Sequence, residues 1–349
     1  MINPPIHTAL CAYGMSGSVF HAPLLDAHPG FYMKKILQRT PRGAKERYPY
    51  IDIVKDIKDI LTDPKVELVV VNTPEHTHYE LTKRALEAGK HVVVEKAFTP
   101  TYSEAEELVT LAQKLGRMLV VFQNRRWDGD FLTVSRVVKE NMLGRLVSFE
   151  SHFDRYRNFI QEGSWKEDEG PGRGVLYNLG THLIDQALVL FGKPDSVTAD
   201  VRIQRQDGAV PDAFDIWLNY PEVKVKLSSS YLVRKPGPRF MLHGTLGSFE
   251  KYGFDPQEDA LKQGAVPTGP NWGKEPAENW GNLITDVKGL TVRGQIETLP
   301  GAYEAFYTGV YECLRHGPPK PVSDADMLMV IRIVEAAIES SKKGIAIAV

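Results

Sequence analysis

Short apolar runs alternate with stretches of helical periodicity over the first third of the chain. Residues 6–13 form an apolar run ending at Gly14, and a helical pattern follows over residues 19–27. Residues 32–38 are a second strand candidate. Leu68, Val69, Val70 and Val71 make an unbroken apolar run of the kind that fills a strand buried on both faces. That run leads through Asn72-Thr73-Pro74 into a helix predicted over 79–88 and stopped by Gly89. Residues 91–95 and 118–122 are the next strands. Between them Ser103 and Glu106 stand at capping-box spacing, which predicts a helix start there and an end near Gly116. Strands alternating with helices in this way imply parallel βαβ units.

The pattern changes after Arg125. Phe214, Ile216, Leu218 and Tyr220 alternate with Asp215, Trp217 and Asn219, and Val223, Val225 and Leu227 alternate with Lys224, Lys226 and Ser228. This is the signature of an antiparallel sheet with one face packed on helices. Trp217 on the opposite face has two readings, cover by a second subunit or an ordinary exposed aromatic. Residues 255–295, rich in Gly, Pro, Asn and Trp, read as a long excursion. The change of pattern divides the chain into residues 1–125, an α/β domain with a parallel sheet, and residues 126–349, a second α/β domain.

Composition narrows the function classes. A length of 349 residues suits two domains, and 42% hydrophobic with 25% charged residues is globular. A net charge of -2 gives no general attraction to nucleic acid or an anionic membrane, so any anion site must be local. No signal peptide and no membrane-length apolar run is evident. Cys11 and Cys313 form neither a CxxC nor a metal-ligand spacing, which suits a reduced, cytoplasmic protein. No metal is expected: His76 and His78 stand apart from His182, and there is no HExxH.

The candidate chemistry begins in the first turn, Ala12-Tyr13-Gly14-Met15-Ser16-Gly17, a GxGxxG pattern with alanine in the first glycine position. Gly14 lets backbone approach a pyrophosphate, and Gly17 lets the following helix pack close to the strand. The same turn without a ligand is the bland alternative. An NAD site usually carries a carboxylate about 20 residues further on, where it holds the ribose diol. Here the second strand ends Leu37-Gln38-Arg39, with Arg42 close behind. Guanidinium groups suit a 2'-phosphate, hence NADP with NAD possible; a solvated basic loop is the competing reading.

Further segments carry a resemblance. They are Phe20-His21-Ala22-Pro23-Leu24, Asn72-Thr73-Pro74 with His78, Gly89-Lys90-His91-Val92-Val93-Val94-Glu95-Lys96 and Gln123-Asn124-Arg125-Arg126-Trp127-Asp128. Others are Glu150-Ser151-His152-Phe153-Asp154-Arg155, Gly180-Thr181-His182-Leu183-Ile184-Asp185-Gln186 and Lys251-Tyr252-Gly253. Over nearly its whole length the chain resembles the glucose-fructose oxidoreductase/inositol dehydrogenase (Gfo/Idh/MocA) family, most of all its NADP-dependent scyllo-inositol dehydrogenase type. The resemblance implies a Rossmann domain followed by an α/β domain with a large open, mostly antiparallel sheet that commonly mediates a dimer or tetramer. Three positions depart from the family pattern: Ala12, Ala97 after Glu95-Lys96, and Asn178 where an Asp usually precedes the histidine.

Lys96 follows a buried strand, where desolvation and a neighbouring cationic ring favour its neutral, basic form. An ordinary ion pair is the alternative. The resemblance makes Lys96, His182 and Asn178 the catalytic candidates. It adds Ser16, Thr73, Pro74, His78, Glu95, Lys96 itself, Asn124, Arg126 and Trp165 to Gly14, Gly17, Arg39 and Arg42 on the cofactor side. His182 is read as opening a helix, whose N-terminal dipole disfavours added positive charge on the ring, with Asp185 one turn on to orient it; a capping histidine is the alternative. His152, Asp154 and Tyr156 alternate along an extended segment and are read as pointing one way toward a polyol, with plain surface residues as the alternative. The expected activity is hydride transfer between NADP(H) and a secondary alcohol or ketone of a cyclic polyol or sugar. A dinucleotide-binding sensor and a cofactor-assisted glycoside hydrolase are the rivals.

Overall fold

Apolar runs become the parallel strands of one sheet in the computed structural model, which describes residues 4–317 and 319–349. The strands are β1 (Ile6–Leu10), β2 (Phe31–Leu37), β3 (Asp52–Val54), β4 (Leu68–Val71), β5 (His91–Val94) and β6 (Leu119–Val121). Their order is β3-β2-β1-β4-β5-β6. All are parallel, and the strand order reverses between β1 and β4, the switch point that creates a dinucleotide crevice at the carboxyl ends of the strands. All four residues of β4 are fully buried, as an unbroken Leu-Val-Val-Val run requires.

The helix between β5 and β6 starts earlier than the Ser103/Glu106 spacing predicts. Thr101, in extended conformation, accepts a bond from the Glu104 backbone N–H, and the Glu104 side chain reaches back to complete the capping box. Ser103 already lies inside the helix, Tyr102–Lys114.

The second sheet has nine strands: β7 (Leu146–His152), β8 (Ser196–Arg202), β9 (Ala213–Asn219), β10 (Lys224–Ser230), β11 (Phe240–Gly244), β12 (Gly247–Lys251), β13 (Gly281–Val287), β14 (Leu290–Ile296) and β15 (Ile347–Ala348). All its pairings are antiparallel except β7 with β10. Phe214, Ile216 and Leu218 face the core, while Asp215, Trp217 and Asn219 are half-buried on the other side. The stretch read as a long excursion holds order of its own. Residues 281–296 form the β13–β14 hairpin, because Val287 and Leu290 pair across Lys288-Gly289, both at positive φ.

The chain forms two units. One comprises the chain up to Trp127 with Pro256–Trp272 and Ala302–Leu328; the other comprises Asp128–Asp255, Gly273–Gly301 and Met329–Val349. Beyond the first crossing, close to residue 125, two later segments thus return to the Rossmann unit. Among the described residues no helix is long and apolar enough to cross a membrane.

Candidate active site

Side chains tie together the three loops that leave β1, β4 and β5. Asn72, just after β4, accepts from the Ala12 backbone N–H and donates to the Ala12 carbonyl, both at 2.9 Å. Ala12 does not take a positive φ, so alanine serves where the family has glycine. Gly17 is required: a Cβ there would lie 2.5 Å from the Ala12 oxygen and 2.8 Å from Asn72 Nδ2. The second tie joins β1 to β5, where the Ser16 hydroxyl donates to the Glu95 carboxylate. His78 supplies the third. Its Nδ1 is 2.8 Å from the Ala97 carbonyl and its Nε2 is 2.8 Å from the Thr73 carbonyl.

Glu95 is the electrostatic centre of this arrangement. Burial works against its charge, but the hydrogen bond and charge of His21, the Ser16 hydroxyl and the Lys96 ammonium outweigh that cost and hold its carboxyl down at about 2. His21 reaches Glu95 through Nε2 at 3.1 Å and Tyr307 through Nδ1 at 2.6 Å. Burial pushes the Tyr307 phenol well above its ordinary value, so it stays protonated. Both His21 and Tyr307 are fully buried. His21 sits in a turn with π geometry, where the Ala22 N–H bonds to Gly17 O five residues back. Such turns widen a helix and re-aim its side chains. The Lys96 N–H donates to Glu95 at 3.1 Å, and the Lys96 side chain is half-buried.

The remaining cofactor-side candidates divide into open and occupied groups. A Cβ added at Gly14 would meet nothing within 4 Å, so this turn leaves room for a ligand. At the end of β2, Gln38 is 5% exposed and its Nε2 has no hydrogen-bond partner. Arg39 and Arg42 are exposed beside it, and the Lys55 ammonium holds the Gln38 and Arg39 carbonyls. An unanswered buried donor, neighbouring guanidiniums and an open glycine turn fit a nicotinamide dinucleotide. Thr73 and Pro74 use their polar atoms within their own turn, through Thr77 and His78. Asn124 is buried, while Arg126 pairs with Asp326 at 3.1 Å.

In the second unit Asn178 and His182 share one helical segment. His182 does not open a helix: residues 176–180 already form a π-type turn, with the Thr181 N–H bonded to Leu176 O, and run straight into the helix Thr181–Phe191. The N-terminal dipole therefore does not act at His182 as the sequence suggests. Asn178 Nδ2 lies 3.2 Å from the Tyr231 hydroxyl, and His182 and Asp185 are buried. The extended 152–156 segment splits. Asp154 lies 3.7 Å from His152 and accepts from the Ser230 N–H at 3.0 Å. Bonding to Asp154 raises the His152 imidazole above its ordinary value against the effect of burial, with help from Glu150. Tyr156 is exposed and accepts from Arg234 at 2.6 Å. Trp165 lies under the Arg173 guanidinium, 4.6 Å from ring centroid to Cζ. Among the described residues no cluster of three or more His, Cys, Asp or Glu could hold a metal ion.

Sequence reasoning missed Asn72, His21 and Tyr307 as parts of this site. The first two lay inside motifs it quoted, but nothing local signals that Tyr307, 286 residues from His21, returns to it.

Residues 6–123 match the family described as "Oxidoreductase family, NAD-binding Rossmann fold", and residues 136–349 match "Oxidoreductase family, C-terminal alpha/beta domain". Together with the 3-2-1-4-5-6 sheet these define a nicotinamide-dependent dehydrogenase. The chain belongs to the Gfo/Idh/MocA family. It is 41% identical over 341 residues to scyllo-inositol 2-dehydrogenase (NADP(+)) IolW of Bacillus subtilis, covering 97% of this chain and 94% of that one. An uncharacterized oxidoreductase of Schizosaccharomyces pombe is 44% identical, with 99% of each chain covered. Among solved structures, a putative oxidoreductase of Bacteroides fragilis superimposes with a TM-score of 0.91 at 49% identity, over 99% of this chain and 100% of that one. The oxidoreductase yvaA of Bacillus subtilis gives 0.96 at 40%, over 99% of both.

Proposed function

We propose that the protein transfers hydride between NADP(H) and a secondary alcohol or ketone of a cyclic polyol or sugar. The observation that carries this reading is Lys96, half-buried at the carboxyl end of β5 beside a charged Glu95, with the β1, β4 and β5 loops tied around it. The NADP(+)-linked scyllo-inositol 2-dehydrogenase among its relatives supports the substrate class. When bound, the oxidised nicotinamide supplies the hydride acceptor. Gly14, Gly17, Gln38 and Arg39 hold the dinucleotide; the positive charge of the oxidised cofactor would oppose the pull of Glu95 and favour Lys96 as the neutral amine, which takes the hydroxyl proton as the alcohol becomes a ketone. In the second unit Asn178 donates and accepts hydrogen bonds to ligand hydroxyls and His182 binds or relays a proton. We also read the chain as a cytoplasmic homo-oligomer, with the half-buried Trp217 face of the second sheet as its contact surface.

The test is a screen of inositols, aldoses and glycosides with NAD and with NADP, following absorbance of the reduced cofactor. Reduction of NADP by a polyol supports the reading. Sugar release from a glycoside with no net reduction makes the protein a cofactor-assisted hydrolase, and binding without turnover makes it a sensor.

A further inference from the structure

We propose that His78 is a positioning residue that holds Lys96 in its working place, an inference that rests on Lys96 as the base. His78 opens the helix His78–Glu87 and is 1% exposed. Its two ring nitrogens face two carbonyl oxygens, those of Ala97 and Thr73, each at 2.8 Å. Carbonyl oxygens only accept, so the ring nitrogen that carries the proton donates to its carbonyl, and both nitrogens are turned to protein oxygens rather than toward a dinucleotide.

The two carbonyls belong to neighbouring loops. Val71 and Val94 are paired at the ends of β4 and β5, and beyond them the chains separate into Asn72-Thr73 and Glu95-Lys96-Ala97. The Glu95 N–H still bonds to the Val71 carbonyl at 3.0 Å, and past it no backbone–backbone bond among the described residues joins Asn72-Thr73 to Lys96-Ala97. His78 spans the gap and fixes the carbonyl next to Lys96. The Asn72–Ala12 and Ser16–Glu95 ties hold the glycine turn without passing through His78. Loss of His78 therefore loosens Lys96 and spares the dinucleotide turn. A misplacement of about 1 Å at a reacting group costs on the order of 10²-fold in rate.

His78→Phe keeps a planar ring and removes the ring nitrogens that face the two carbonyls; His78→Gln keeps side-chain N–H donors. NADP affinity is read from quenching of protein fluorescence, kcat with the polyol found in the screen, and the 96–98 backbone by hydrogen exchange. For His78→Phe the expected result is a dissociation constant within about threefold of wild type, kcat lower by roughly 10- to 100-fold and faster exchange at residues 96–98. His78→Gln should recover part of both losses. In a Lys96→Met background His78→Phe should lower kcat by no more than about twofold further. Wild-type kcat and exchange in both variants would overturn the proposal. So would a loss of NADP affinity as large as the loss of kcat, which would make His78 a cofactor contact, or full additivity with Lys96→Met. Should His78→Phe not fold, His78→Gln carries the same readouts. Failure of the parent reading shows separately, as undiminished turnover in Lys96→Met alone, whereas the exchange measurement depends on no activity.

Discussion

Glu95 and His21 face each other at 3.1 Å inside the Rossmann unit, and the same carboxylate also takes the Ser16 hydroxyl from the phosphate-binding turn. One buried anion thus fixes both the start of the first helix and the backbone N–H of Lys96.

This relationship predicts a specific acid response. The Glu95 carboxyl is depressed from 4.5 to about 2, so its contribution to stability is complete above pH 4.5 and is lost as pH falls toward 2. Glu95→Gln should be less stable than wild type at neutral pH, and the difference should shrink between about pH 4.5 and about pH 2. Urea unfolding followed across that range measures it. A constant difference at all pH values would mean that Glu95 contributes through packing alone.

Lys96→Met should lower kcat by roughly 10²-fold or more and change NADP affinity little, since general acid-base catalysis operates on that scale. Steady-state kinetics and fluorescence titration on the folded variant separate the two. Near wild-type turnover would assign the proton transfer elsewhere.

Arg39 stands exposed beside the unanswered Gln38 donor, and under the proposed function it is the counter-charge to a ribose phosphate. A charge-assisted bond contributes about 1.5–3 kcal/mol, or about 10- to 150-fold in affinity. Arg39→Ala should weaken NADP by about that factor and leave NAD nearly unchanged, with a smaller effect at higher salt. Equal wild-type dissociation constants for NAD and NADP at low salt would make Arg39 and Arg42 solvated surface charges.

Asn178 carries no proton to transfer, and its amide is held by the Tyr231 hydroxyl at 3.2 Å. Asn178→Asp places a titratable group one helical turn from His182. The pH profile of kcat should then gain a new inflection. An unchanged profile would remove Asn178 from contact with the reacting hydroxyl.

The order of strands and helices in the Rossmann unit, the Ala12–Gly17 turn, the missing carboxylate after β2 and the placement of Lys96 after a buried strand were all legible in the residues alone. Each is a property of contiguous chain: a period of two or 3.6, or a glycine at a turn. Where neighbouring residues offered competing signals, the outcome depended on more than sequence spacing. Thr101 rather than Ser103 caps a helix, and a π-type turn ahead of Thr181 carries His182 into the interior of a helical segment.

Tertiary structure alone decided the ties. Asn72 meets Ala12 across 60 residues, Ser16 meets Glu95 across 79 and His21 meets Tyr307 across 286. Sequence separation carries no record of such meetings, because they arise only when parallel strands stack side by side and a late helix packs back onto the sheet. The residues that could do the chemistry were written in the chain. Which of them hold the others in place was settled by the order β3-β2-β1-β4-β5-β6, which sets the ends of β1, β4 and β5 next to one another.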